Sequence, residues 1–296
     1  MATPSPNPGR ILAADGRIVI ARTGLPNSYL HDLYHLLLAS SWPRILALFV
    51  GSYATANAFF ALLYVLGGDC IAGARPGSFA DAFFFSVQTM ATIGYGKMVP
   101  STLWSNALVT VESFIGLSGL ALATGLIFAK FSRPTARVLF SRVAVMTTRD
   151  GVPCLMFRMA NQRGNQIVEA HAHVVLARNE VTIEGEAVRR LYDLHLTRGQ
   201  NVLFALSWTA VHPITELSPL YGATPASLEI DEVEIIVSIT GLDETFSQTV
   251  HARHSYVADE IVWGARFVDI LSRLPDGRRL VDYTQFHDII RSTPAG

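Results

Sequence analysis

Thr92-Ile93-Gly94-Tyr95-Gly96 sets two glycines beside a threonine and a tyrosine. This spelling permits an extended run whose successive carbonyls all point to one side. Glycine has no Cβ and reaches positive φ without steric cost, so Gly94 and Gly96 can turn their carbonyls onto the axis of their neighbours. Thr92 would add its hydroxyl at the inner end. A row of backbone oxygens of this kind can replace the water around a cation.

The flanks of this run decide between such a loop and an ordinary Gly-rich turn. Directly before it, Phe79 to Ala91 is an apolar run free of proline and glycine, opened by Gly77-Ser78 as a helix N-cap. At 1.5 Å per residue a helix here covers roughly 20 Å, too short for a hydrocarbon core of about 30 Å. It reads as a re-entrant pore helix, its partly negative C-terminal end directed at the membrane centre. Longer apolar spans lie on either side. Ile45 to Leu66 has no charged residue, and Ala107 to Ala129 has only Glu112. Span, re-entrant helix, filter and span make the plan of a minimal cation pore.

Of 296 residues, 50% are hydrophobic and 16% charged, with a formal net charge of -1. The apolar excess sits in the first half, so a membrane part precedes a soluble one. Arg10, Arg17, Arg22 and Arg44 precede the first span and Lys130, Arg133, Arg137 and Arg142 follow the second, against Arg75 and Lys97 in the loop between. This asymmetry places both termini in the cytoplasm. No basic-then-apolar signal pattern opens the chain, and the first span serves as its own insertion signal. Cys70 and Cys154 fall on opposite sides of the bilayer in this topology and cannot pair.

Four segments follow from the patterning. Residues 1–28 read as a tail with one short strand at Ile18 to Ala21. Residues 29–41 contain an amphipathic helix lying in the interface plane, with Leu30, Leu33, Tyr34, Leu37 and Leu38 at helical spacing. Residues 42–134 form the transmembrane pore domain, entered at Ser41-Trp42-Pro43. From residue 135 to 296 the pattern turns to period two, with strands expected at Val143–Met146, Cys154–Met159, Val168–Leu176, Leu191–Leu196, Val202–Leu206, Val233–Thr240 and Ile261–Phe267. A short helix is expected at Tyr283–Arg291. Short strands separated by turn signals argue a β-sandwich.

Within the second span, Gly116 and Gly119 can serve either close helix packing or a hinge. Glu112, an ionisable group in a span, is expected to line a water-filled ion cavity. Phe128 near the cytoplasmic end is packing or a hydrophobic constriction that closes by dewetting.

The chain resembles the inward-rectifier potassium channels, in particular their bacterial branch. The likeness runs through FFFSVQTMATIGYG (Phe83–Gly96), LIFAKFSRP (Leu126–Pro134), VEAH (Val168–His171), SPLYG (Ser218–Gly222), ETFSQTVHARHSY (Glu244–Tyr256) and DEIVWGARF (Asp259–Phe267). The resemblance implies a homotetramer, with Thr92, Ile93, Gly94, Tyr95 and Gly96 of each copy coordinating potassium and immunoglobulin-like β domains extending the pore into the cytoplasm. It makes the interfacial helix a slide helix coupled to the gate and puts Phe128 at the bundle crossing. Leu242, Phe246, Ser247 and Gln248 fall in a loop forming a second, cytoplasmic constriction. Lys130, Arg133 and Arg137 match a membrane-proximal stretch that meets phosphoinositide headgroups, and clustered cations below a bilayer do attract anionic lipid.

Three departures stand out. Leu120 replaces the acidic rectification residue of strongly rectifying members, leaving Glu112 and Glu184, placed in the cytoplasmic sheet, as weaker partners for magnesium or polyamines. Gln88 and Met98 replace a filter-bracing Glu and Arg of animal members. Cys70 lacks the second cysteine of those members. Potassium is the permeant ion and no cofactor, resident metal or nucleic acid is expected. No arginine-rich voltage sensor, Gly-rich nucleotide fingerprint or catalytic constellation is legible, so the chain is expected not to be an enzyme. The location implied is a bacterial inner membrane.

Overall fold

The computed structural model describes residues 10–12, 19, 23–24, 33–132 and 136–291. They fall into two compact units, Gly24–Arg133 and Pro134–Gly296, the second also holding the N-terminal residues up to Thr23.

In the first unit, α1 (Leu33–Ala39) is followed at once by α2 (Trp42–Leu66). The earlier part of the expected interfacial helix, 29–32, lies outside the described residues, as does all but Val19 of the strand expected at 18–21. Ser41 is the extended N-cap of α2, and Pro43 falls in its first turn, where a missing N–H leaves no helical bond unmade. A hairpin-like lasso follows: β1 (Ile71–Ala72), α3 (Phe79–Met90) and β2 (Val99–Pro100), with β1 antiparallel to β2. The chain then enters α4 (Leu103–Phe131) through a capping box in which Thr102 and Ser105 satisfy each other's backbone amides. Both long helices overrun the purely apolar cores read from sequence, α2 starting at Trp42 and α4 running from Leu103 to Phe131. At 25 and 29 residues they are long and apolar enough to cross a bilayer. The 12 residues of α3 are not.

Ser78 opens α3 by accepting from the Asp81 amide, and Asp81 in the first turn takes the Arg75 guanidinium in two bonds of 2.9 Å. Helix α3 packs on α2 through Phe60, Ala61, Tyr64, Phe85 and Met90, with the Tyr64 and Phe85 rings edge-to-face at 5.1 Å. Along α4, by contrast, only Ser105 and Glu112 are buried within one chain. A helix apolar all round yet uncovered has lipid or further protein as its complement.

The second unit is built from two five-stranded sheets. Its strands are β3 (Val138–Phe140), β4 (Ala144–Arg149), β5 (Val152–Asn161), β6 (Ile167–Val181), β7 (Ala187–Asp193), β8 (Gln200–Phe204) and β9 (Ser207–Pro213). After α5 (Pro225–Ile230) come β10 (Glu234–Asp243), β11 (Gln248–Val257) and β12 (Ile261–Trp263). One sheet runs β11-β10-β6-β7 with β8 also on β6; the other runs β12-β4-β5-β3 with β9 also on β5. Leu155, Phe157 and Trp208 from one sheet meet Leu176, Phe204, Ile235 and Ile239 from the other in a single core. That arrangement is a sandwich.

Strands β3, β9 and β11 go beyond those expected from the alternation. The C-terminal helix expected at Tyr283–Arg291 is corrected. Tyr283–Gln285 is a single 3-10 turn, and Ile289–Arg291 is a strand paired antiparallel with Ala265–Phe267. Asp282 draws the Thr284 amide into the turn, and Phe286 is fully buried, so tertiary packing overrides a run that could have been helical.

The N-terminal stretch is not wholly a free tail. The Glu234 carboxylate, fully buried, accepts the backbone amides of Ile11 (2.8 Å) and Leu12 (3.0 Å), while Arg10 reaches Glu260 at 3.1 Å and the Ser255 carbonyl at 2.8 Å.

His212 on β9 is buried, with Nδ1 2.8 Å from the His195 carbonyl and Nε2 2.7 Å from the Ser218 hydroxyl. A neutral ring satisfies both, donating through Nδ1 and accepting at Nε2, and Ser218 in turn receives the Leu220 amide that shapes the SPLYG loop. Burial holds His212 below the usual imidazole value of 6.5. The unfolded chain therefore takes up the proton first as pH falls. The stability contributed is full above about pH 6.5 and is lost progressively below it. Thermal melting of the protein between pH 7.5 and 5 is expected to show a downward slope that His212→Gln flattens.

Candidate ion-conduction site

The five residues 92–96 leave α3 through a tight turn. The Gln88 carbonyl accepts the Ile93 amide at 2.8 Å and the Gly94 amide at 3.4 Å, and the Thr89 carbonyl accepts the Thr92 amide at 3.0 Å. Thr92, Gly94 and Gly96 then lie at φ of 56°, 58° and 77°, whereas Ile93 and Tyr95 keep negative φ. Alternating left- and right-handed residues turn each peptide by about half a revolution relative to the β pleat, so successive carbonyls share one side. The glycines take this form freely. Thr92 does not, and a threonine held there is strain of a kind concentrated at functional sites. In one chain the segment is open to its surroundings, with Tyr95 75% exposed.

Behind α3 stands a buried polar cluster. Glu112 is fully buried and does not line a cavity, which corrects the expectation from its charge. Its carboxyl group meets the Tyr64 hydroxyl at 2.6 Å and bonds to the Ser86 hydroxyl. Ser86 is also 2.9 Å from Asn57 Oδ1. One turn along α4, Gly116 abuts the end of α3: a Cβ there would lie 2.5 Å from the Met90 carbonyl oxygen. Gly116 thus makes a close helix contact with α3. Gly119 has nothing within 4 Å of such a Cβ in one chain. Farther along, Leu120 and Phe128 are 66% and 72% exposed.

Near the end of α4, Lys130 is engaged inside its own unit. Its ammonium donates to the carbonyls of Leu38 (3.0 Å) and Ser40 (2.6 Å) and lies 5.4 Å from the Trp42 ring centre. It caps the C-terminal end of α1.

Comparison with known proteins bears on the same two units. Residues 138–295 match the family model described as inward rectifier potassium channel C-terminal domain, and residues 46–133 match the one described as ion channel. The chain belongs to the inward rectifier potassium channel family. It is 52% identical over 290 residues to the inward rectifier potassium channel Kirbac3.1 of Paramagnetospirillum magnetotacticum, covering 98% of each chain. It is 34% identical to the ATP-sensitive inward rectifier potassium channel 12 of Gallus gallus, over 91% of this chain and 68% of that one. The G protein-activated inward rectifier potassium channel 3 of Homo sapiens is also 34% identical, over 94% and 77%. Inward rectifiers are ion channels, and this chain is not an enzyme.

In this inward rectifier, the soluble unit presents its own candidate residues on the turn between β10 and β11. Leu242 and Phe246 are exposed at 41% and 53%, and Ser247 takes φ of 50° as the chain returns into β11. The residue that shapes this turn is Asp243, which sequence reading passed over. Buried at the end of β10, it accepts the Thr245 amide at 2.9 Å, the Phe246 amide at 3.3 Å and the Asn165 side-chain amide at 2.9 Å. An Asp followed by a Glu-Thr pair before β11 was the available signal. Gln248 begins β11 opposite Asp243.

Glu184 sits in the turn joining β6 to β7 and not within the sheet. The Thr182 side chain and its own backbone amide hold its carboxyl below the ordinary range. Arg137 is exposed just before β3, Arg133 lies outside the described residues, and Lys130 belongs to the other unit. His171 and His173 are not within any cluster fit for a metal among the described residues.

Proposed function

We propose that this inward rectifier is a potassium-selective pore formed by four copies of the chain, conducting passively down the ion's gradient in a bacterial inner membrane with both termini in the cytoplasm. The alternation of φ along residues 92–96 carries this reading. It gives each copy a column of carbonyl oxygens, and four such columns around an axis would supply the cage that replaces a hydration shell. Helix α3 serves as the pore helix, its C-terminal carbonyls contributing negative potential below the filter. The uncovered apolar length of α4 supports assembly with other copies and with lipid. Leu120 and the hydroxyl-bearing Thr124 would line the cavity, Phe128 would narrow its cytoplasmic mouth, and Phe246 with Leu242, Ser247 and Gln248 would form a second constriction in the soluble part.

Potassium is the substrate and no cofactor is proposed. With Leu120 lacking a carboxylate and Glu112 sealed away, magnesium and polyamines would block weakly, Glu184 being the remaining acid. Anionic lipid, phosphoinositide included, is the proposed modulator through Arg133, Arg137 and Lys130, the last after leaving its carbonyl partners.

The experiment is uptake of rubidium tracer into potassium-loaded liposomes holding the purified protein, with barium, sodium competition and phosphoinositide added or withheld. Uptake that barium stops and sodium does not replace is expected, with the lipid arm giving the sign of modulation. Uptake that does not discriminate sodium would overturn the potassium reading, and protein that elutes as a monomer or dimer in every detergent would overturn the tetramer.

A further inference from the structure

The donor and acceptor inventory of the cluster behind α3 fixes more than its contacts. Asn57 Nδ2 donates to the Tyr53 carbonyl at 2.7 Å and lies 3.5 Å from Met90 Sδ, so the amide cannot be turned round without setting two oxygens against each other. Asn57 Oδ1 therefore faces Ser86, and the one proton of the Ser86 hydroxyl goes to it across 2.9 Å. The remaining bond of Ser86 runs to Glu112 Oε1. Ser86 has one proton for these two acceptors; given to Asn57, it leaves Ser86 accepting at Oε1, with Glu112 as the donor. The Tyr64 hydroxyl donates to the other carboxyl oxygen at 2.6 Å. Every polar atom in the cluster is then matched once, and no counter-cation stands among the partners of Glu112.

We infer that Glu112 is a neutral carboxylic acid that positions the selectivity filter, holding Ser86 of the pore helix between the two spanning helices rather than meeting the permeant ion. The geometry gives the brace its reach. Ser86 lies on the turn of α3 whose Gln88 carbonyl receives the Ile93 and Gly94 amides. Met90, between that turn and the filter, receives the Asn57 amide at its sulfur and packs closely against Gly116. Glu112 and Gly116 lie one turn apart on α4, and Asn57 and Tyr64 lie two turns apart on α2. The helix that delivers the filter is thus tied to both spans by a fully satisfied polar network, the kind that fixes a single arrangement. Losing any member leaves a buried group unpaired.

The inference rests on reading residues 92–96 as the filter, and two measurements separate its failure from the failure of that reading. The first does not require conduction. An infrared difference spectrum between wild-type protein and Glu112→Gln at neutral pH is expected to show the carbonyl stretch of a protonated acid in the wild type, lost in the variant. A carboxylate band in its place overturns the inference. The second is the rubidium uptake assay with sodium competition and barium titration on tetrameric protein. Glu112→Gln keeps the bonds, donating to Ser86 through its amide and accepting from Tyr64, and is expected to stay within about twofold of wild type. Glu112→Ala and Ser86→Ala are expected to lose about tenfold in potassium-over-sodium discrimination. Should Glu112→Ala not assemble, Ser86→Ala, which removes a single hydroxyl, carries the comparison. Unchanged discrimination in the alanine variants, or a Gln variant as impaired as they are, overturns the inference. Wild-type uptake without discrimination would count against the filter reading itself.

Discussion

Gly96→Ala is expected to abolish barium-sensitive rubidium uptake while leaving both spanning helices and the β-sandwich folded. Gly96 holds φ of 77°, and Gly94 holds 58°. A side chain there costs about 1–2 kcal/mol in each chain, because Cβ is driven against the backbone carbonyl. No crowding by other parts of the same chain adds to this, since a Cβ at either glycine meets nothing within 4 Å. The penalty is conformational. Relaxing it means flipping the peptide, and a flipped peptide withdraws its carbonyl from the ion column and offers an N–H to a cation. If, as proposed, four chains contribute to one ring, the loss multiplies, and residual uptake is expected below about a hundredth of wild type. Gly51, exposed on α2 with nothing within 4 Å of a Cβ, is the control: Gly51→Ala should conduct as wild type does. Selective uptake by Gly96→Ala would mean that residues 92–96 do not coordinate the ion.

How far the sequence revealed this molecule varies with the kind of interaction. Residues 92–96 were legible because the requirement for positive φ is written as glycine, and the short run before them because its length alone excludes a span. Strands β5, β6 and β10 showed their alternation. Strand β9 hid its own, since its buried positions are Trp208, Ala210 and His212, and a buried histidine breaks an apolar pattern. Strand β11, with Gln248, His251, Arg253 and His254, reads as polar because it borders its sheet and, among the described residues, pairs with β10 alone. Glu112 was conspicuous as a charge in an apolar span, yet its partners Ser86 and Tyr64 are 26 and 48 positions away. No local pattern could choose between a water-filled cavity and those two hydroxyls. Lys130 was opaque for another reason. Its acceptors are main-chain carbonyls, which every residue carries and no sequence advertises.

That last contact leads to the second large expected effect. The carbonyls of Leu38 and Ser40 mark the end of α1, where a helix leaves its last acceptors unpaired and partly negative. A lysine ammonium donating to both is charge-assisted, and such bonds contribute about 1.5–3 kcal/mol each when half-buried. The described part of α1, Leu33–Ala39, takes its stability from what it packs against rather than from propensity. Lys130 is a tie between α1 and the C-terminal end of α4. Lys130→Met keeps most of the apolar stem over Trp42 and removes the donors. Amide exchange across residues 33–40 is expected to accelerate by roughly tenfold to a hundredfold, with exchange in α2 and α4 unchanged. The same three-donor ammonium cannot serve its two carbonyls and a phosphate at once. If phosphoinositide acts through Lys130, adding it to wild-type protein in liposomes should raise exchange in this segment toward that of Lys130→Met and should do nothing further to the variant. Faster exchange in both, by the same factor, would place the lipid's action on Arg133 or Arg137 instead. Unaltered exchange in Lys130→Met would mean that α1 is held by its packing through Leu38 and not by the lysine.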